Sequence, residues 1–139
     1  MKKTRLLNSQ LSYLVATLGH TDEITIADAG LPVPDGVERI DLALTQGMPS
    51  FLHTVEVLLS ESQIEGVVIA EETKHNNPLV HEQLLILLEK DSQQTGKKIS
   101  VSYVSHEAFK ERSFGSKAVV RTGECTPYAN VIFQTGVTF

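Results

Sequence analysis

The chain has a single cysteine, Cys125, which excludes an intramolecular disulfide and leaves no CxxC pair for a structural zinc. It has no HExxH motif either, because His81-Glu82-Gln83-Leu84-Leu85 lacks the second histidine, so no metal is expected. Gly30, Gly36 and Gly47 do not approximate GxGxxG and no phosphate-binding GxxxxGKS or GxxxxGKT occurs, so no nucleotide cofactor is expected. Positive charge is scarce: 12 Lys and Arg against 17 Asp and Glu give a net charge of −5. With a pI near 5.5 and no basic stripe, nucleic acid is an unsuitable partner. Long apolar runs are lacking near the start, where the Leu6-Leu7 patch of MKKTRLLNSQ is far too short for a signal segment or membrane span. Together with the lone thiol, this points to a cytoplasmic protein with no membrane partner.

What is present reads as globular. Hydrophobic residues at 41% and charged residues at 21% fit a soluble folded protein, and 139 residues fit one domain spanning 1–139. Leu11, Leu14, Val15 and Leu18 fall on one helical face, with Asn8 or Ser9 as N-cap and Gly19 as stop. Glu23-Ile24-Thr25-Ile26-Ala27-Asp28 alternates as a strand, and the Gly/Pro-rich run 29–34 ends it, leaving Asp28 at its C-terminal end. Further strands are predicted over 40–44, 64–70, 99–104, 117–121 and 128–134. Ser50 opens a helix to Leu59, and Asn77-Pro78 opens another to about Lys90, with Leu79, Leu84, Leu85, Leu87 and Leu88 on its apolar side. Ser105 caps a helical turn over 106–110, and 71–77 reads as a polar loop. Strands alternating with helices predict a three-layer α/β/α domain with a mixed, mostly parallel sheet, in which the last two strands are close enough to pair antiparallel. Ligands in such sheets gather at strand carboxyl ends.

Several side chains carry candidate chemistry. His20, in the loop Gly19-His20-Thr21-Asp22, is either a general acid–base group or a solvated loop histidine; the second is the commoner case, and nearness in sequence to Asp28 weakens it. Asp28 offers two acceptor oxygens to a polar ligand or caps its own turn, and the two roles can coexist. Arg39 and Asp41 read as a structural ion pair, and Glu71 and Glu72 as acid–base groups, cation ligands or part of a solvated polar loop capping the next helix. His106 and Lys110, four apart, share a helical face. Cys125 has no local imidazole to activate it and is expected to be a buried or half-buried thiol.

In order along the chain, Gly19-His20-Thr21-Asp22, Asp28-Ala29-Gly30-Leu31-Pro32-Val33-Pro34, Arg39-Ile40-Asp41-Leu42-Ala43-Leu44 and Arg121-Thr122-Gly123-Glu124-Cys125-Thr126-Pro127-Tyr128-Ala129-Asn130-Val131-Ile132 resemble the ribose pyranase and fucose mutarotase family. Ala70-Glu71-Glu72-Thr73-Lys74, Asn77-Pro78, Ser105-His106-Glu107 and Gly136-Val137-Thr138-Phe139 extend the resemblance over essentially the whole chain, while Phe133 and Thr135 depart from the small or aliphatic residues familiar in the closing strand. The resemblance implies an isomerase needing neither metal nor cofactor, which interconverts β-D-ribopyranose and β-D-ribofuranose by acid–base ring opening and reclosure and supplies the furanose to ribokinase. It implies His20 as proton donor and Asp28, His106, Tyr128 and Asn130 as sugar-binding residues, with Lys110 a further candidate. It also implies a homo-oligomer, a decamer of two stacked pentameric rings with sites at subunit interfaces. An L-fucose-type mutarotase and a non-catalytic sugar-binding protein of a transport system are the competing readings.

Overall fold

Alternation along the strands divides the apolar side chains between two faces of one sheet. In the computed structural model, which describes residues 1–139, the strands are β1 (Glu23–Ala27), β2 (Arg39–Asp41), β3 (Ile64–Ala70), β4 (Ser100–Val104), β5 (Val119–Arg121) and β6 (Val131–Thr135). They form a six-stranded sheet in the order β2-β5-β1-β6-β3-β4, in which β6 alone runs against its neighbours β1 and β3. Helices α1 (Ser9–Thr17), α2 (Phe51–Leu59) and α4 (Pro78–Thr95) cover one face, where Ile24, Ile26, Val67, Ile69 and Phe133 meet Leu11, Leu14, Phe51, Val55 and Leu84. On the other face Ala27, Val68, Val119 and Ile132 pack under Leu31 and under Phe109 of α5 (His106–Ser113). This is the predicted three-layer mixed sheet, with outer layers of unequal thickness. No helix is long and apolar enough to cross a membrane.

The helix starts follow the capping residues. Asn8, Ser50 and Ser105 each accept a hydrogen bond from the backbone N–H three residues on. The longest helix, α4, runs past Lys90 to Thr95, because nothing breaks it before Gly96 adopts φ 71°. Its buried stripe is Val80, Leu84 and Leu88, whereas Leu79 is exposed.

Four local expectations change. The 71–77 stretch is not a loop but begins as a helix, α3 (Glu71–Asn76), with Glu71 and Glu72 in its first turn and Lys74 and His75 in its last, matching the helix dipole. The strand at 40–44 stops at Asp41, whose Oδ1 accepts the Ala43 N–H and bends the chain away. The last two strands do not pair with each other: β5 and β6 lie on opposite sides of β1. Finally, β6 begins at Val131 rather than 128, because Tyr128 sits in the left-handed region at φ 55° and cannot be in a strand.

Candidate active site

Five strands point the same way, so the residues that follow them share one edge of the sheet. Asp28 follows β1, Glu72 and Thr73 follow β3, and His106 follows β4. Because β6 is antiparallel, the residues that precede it, Tyr128 to Asn130, arrive at that edge too.

Asp28 is held from three directions. Its Oδ1 accepts from the Gly30 N–H at 2.9 Å, its Oδ2 accepts from Asn130 Nδ2 at 2.9 Å, and its own N–H donates to Asn130 Oδ1 at 2.9 Å. The turn-capping role therefore exists and leaves lone pairs on both oxygens for a ligand. Asn130 is 1% exposed, so most of its amide is spent on Asp28 rather than on solvent or ligand. Tyr128 is fixed in its strained conformation by its carbonyl, which accepts from Thr73 Oγ1 at 2.8 Å and the Asn130 N–H at 2.9 Å. The preceding turn is tied down by Asn77 Nδ2, which donates to Thr126 Oγ1 and to the Pro127 carbonyl, each at 2.9 Å.

His106 completes the wall. Its N–H donates to Glu72 Oε2 at 2.8 Å, its ring stands edge-on to Tyr128 with centroids 5.0 Å apart, and it stacks on Phe109 at 6.4 Å. Its buried Nδ1 makes no hydrogen bond within the chain. Asp28, Gly30, Leu31, Pro32, His106, Pro127 and Tyr128 enclose a hollow of 260 Å³. Lys110 does not line it: its Nζ lies 2.8 Å from Glu107 Oε1, and that contact holds the exposed Glu107 carboxyl below its usual value.

Neighbouring groups correct two further expectations. Asp41 pairs with Arg121, at 3.1 Å, and not with Arg39, while Arg121 Nε also donates to the Ala29 carbonyl and so braces the 28–34 loop. Desolvation opposes ionisation of Asp41, but the Ala43 N–H and the Arg121 guanidinium outweigh it and hold the carboxyl below its usual value. Cys125 is exposed rather than buried, at the rim of a second hollow lined by Ala29, Ala43, Arg121 and Gly123.

His20 is elsewhere. It precedes β1 whereas Asp28 follows it, so the five-residue strand separates them by roughly 16 Å at about 3.3 Å per residue. Nearness in sequence thus does not become nearness in space. His20 Nε2 lies 2.9 Å from Glu65 Oε2, at a hollow of 400 Å³ that also takes in Gly19, Gln63 and Gly136. Its loop is clamped by Thr135, whose Oγ1 donates to the Gly19 carbonyl at 2.6 Å and contacts the Asp22 carbonyl at 3.0 Å. Thr135 and the fully buried Phe133, the two departures in the closing strand, therefore have structural work in this chain. Glu72 was singled out from the sequence with Glu71, as an acid–base group, a cation ligand or part of a polar loop, and here its carboxylate holds the His106 backbone; Thr73 and Asn77 were given no part in a site, and Asn77-Pro78 was read only as a helix start.

The sequence profile of the RbsD / FucU transport protein family matches residues 1–138. The chain belongs to that family. Among curated RbsD / FucU relatives it is similar to the D-ribose pyranase of Vibrio parahaemolyticus, 71% identical over 139 residues and covering 100% of both chains. A D-ribose pyranase of Vibrio cholerae is 68% identical with the same coverage. Among solved RbsD / FucU structures, Bacillus subtilis RbsD complexed with D-ribose matches with a TM-score of 0.89 at 50% identity, covering 100% of both chains. The fucose mutarotase of Streptococcus pneumoniae in complex with L-fucose shares the fold, with a TM-score of 0.78 at 23% identity over 94% of this chain and 93% of that one.

Proposed function

We propose that this chain is a D-ribose pyranase, an isomerase that interconverts β-D-ribopyranose and β-D-ribofuranose. The observation that carries the proposal is the end-to-end match, at 71% identity, to a D-ribose pyranase. The 260 Å³ hollow supports it, being lined by a carboxylate, an imidazole and a phenol of the kind that bind sugar hydroxyls.

The chemistry needs only protons to move. As the ring oxygen receives a proton and the anomeric hydroxyl loses one, the C1–O5 bond breaks and C1 becomes an aldehyde. Addition of the C4 hydroxyl to C1, with the proton transfers reversed, closes the furanose. His20 is the proton donor in this reading, a role that contributes about 10²–10⁴-fold. Asp28 and His106 bind sugar hydroxyls, Tyr128 adds a hydroxyl and an apolar ring face, and Asn130 acts chiefly by holding Asp28. Lys110 takes part only if it leaves Glu107.

Because β1 separates His20 from this hollow, the reading requires His20 of one subunit to meet the hollow of another. We therefore propose a homo-oligomer with shared sites, in the decameric form of two pentameric rings that the family resemblance implies. Its action belongs in the cytoplasm, where ribokinase consumes the furanose.

Magnetisation-exchange NMR of D-ribose tests the proposal. Added protein should accelerate pyranose–furanose exchange, and an unchanged rate overturns it. Acceleration of anomer exchange in L-fucose alone would favour a mutarotase, and sugar binding without any acceleration would favour a binding protein.

A further inference from the structure

The pairing of β3 with β6 slips by one residue. Ile64 is opposite Thr135 and Gly66 opposite Gln134, which leaves Glu65 as the extra residue of a β-bulge. A bulged residue is released from the regular alternation and its side chain is re-aimed. That of Glu65 reaches His20, with Oε2 2.9 Å from Nε2. Both ends of this contact are built on fixed backbone. The His20 loop is held by Thr135, by the Thr21 N–H donating to the Thr135 carbonyl at 2.9 Å and by the Gly19 N–H donating to Asp22 Oδ2 at 2.8 Å. On the Glu65 side, the Gly136 N–H donates to the Gln63 carbonyl at 2.9 Å, and a Cβ at 136 would stand 3.1 Å from Glu65 Cβ and 3.3 Å from its Oε2. Any side chain at 136 would press on the carboxylate that faces His20.

We propose that Glu65 is the positioning residue for His20: its carboxylate accepts the Nε2–H, fixes the plane of the ring, and leaves Nδ1 as the nitrogen that exchanges a proton with the sugar. The inference rests on the reading of His20 as the acid. An ionised carboxylate only accepts, so Nε2 carries a proton whenever the contact is made. The same carboxylate faces the positive charge present when both ring nitrogens are protonated, as in other carboxylate–imidazole pairs. The side chains are 54% and 40% exposed, and a pair so open to water adds little to folding. Its value lies in orientation.

The test combines ribose exchange NMR with ¹⁵N NMR of the His20 ring in wild type, Glu65→Ala, Glu65→Gln, Gly136→Ala and His20→Ala. Glu65→Ala should lower turnover about 10–100-fold, the range seen when a metal-bound histidine loses its orienting partner, with little change in the ribose KM. Glu65→Gln, which keeps the shape and an acceptor oxygen, should lose less, and Gly136→Ala should show a smaller loss of the same kind. The neutral His20 ring should carry its proton on Nε2 in wild type and divide between both nitrogens in Glu65→Ala. Wild-type turnover and an unmixed tautomer in Glu65→Ala overturn the inference. If His20→Ala abolishes exchange while the Glu65 variants match wild type, only the positioning role falls; if His20→Ala itself retains full exchange, the reading of His20 falls. Should Glu65→Ala fail to fold, the near-isosteric Glu65→Gln and Gly136→Ala carry the decision: both matching wild type overturns the inference.

Discussion

The two ends of β1 carry the two halves of the proposed site, and they are built in opposite ways. At the Asp28 end, side chains and carbonyls are bound by partners from several other elements, Asn130 is buried, and Tyr128 is held in a conformation it would not adopt alone. At the His20 end the loop backbone is clamped, but the imidazole is half exposed, with one close side-chain partner. Recognition of hydroxyl geometry needs many groups fixed relative to one another, whereas proton delivery to a neighbouring subunit needs one ring that stands out from the surface and keeps its direction.

That comparison can be broken most directly at His20. His20→Ala should reduce ribose exchange by about 10²–10⁴-fold while calorimetry shows ribose binding nearly unchanged, and an equal loss of binding would contradict the division of labour. Mixing is the next sharpest test. Subunits of His20→Ala and Asp28→Ala, each inactive alone, should regain roughly a quarter of wild-type exchange when co-assembled at random, since that share of interfaces joins an intact His20 to an intact pocket in a symmetric ring. No recovery would mean that both halves act within one chain.

Asn130→Ala probes the buried half. It removes both of Asn130's bonds to Asp28, so denaturant unfolding should show a loss of about 1–3 kcal/mol, accompanied by weaker ribose binding. The smallest effect is expected at Asp91, which belongs to neither end. It is buried on α4 with Oδ2 unpaired, and burial pushes its carboxyl above the ordinary 3.8. A raised carboxyl pKa favours the protonated folded state, an advantage complete below pH 3.8 and lost as pH rises through the raised value. Asp91→Asn should therefore raise the thermal midpoint at pH 7, lose that gain below pH 3.8, and leave ribose exchange unchanged.

Much of this was legible beforehand. Ser50 and Ser105 announced helix starts, and the first start was narrowed to Asn8 or Ser9, of which Asn8 is the cap, because such side chains act on N–H groups only three residues away. Asp28 was recognisable at a strand's carboxyl end because the Gly/Pro run after it cannot extend a strand. The α3 helix was missed because seven polar residues between a strand and a proline look the same whether coiled or helical. The grip of Asn130 on Asp28, 102 residues apart, and of Thr73 on the Tyr128 carbonyl, 55 apart, left no local trace.

By itself the sequence determined the alternation of strands and helices, the family, and which side chains are chemically able to move a proton or bind a hydroxyl, since these depend on local pattern and residue type. Only the tertiary structure decided that β6 runs backwards between β1 and β3, which delivers Tyr128 and Asn130 to the edge where Asp28 and His106 wait. It alone decided that His20 and Asp28, eight positions apart in the chain, lie at opposite ends of a strand. An extended strand holds its two ends apart by its own length, and no pattern of residues at those ends alters that distance.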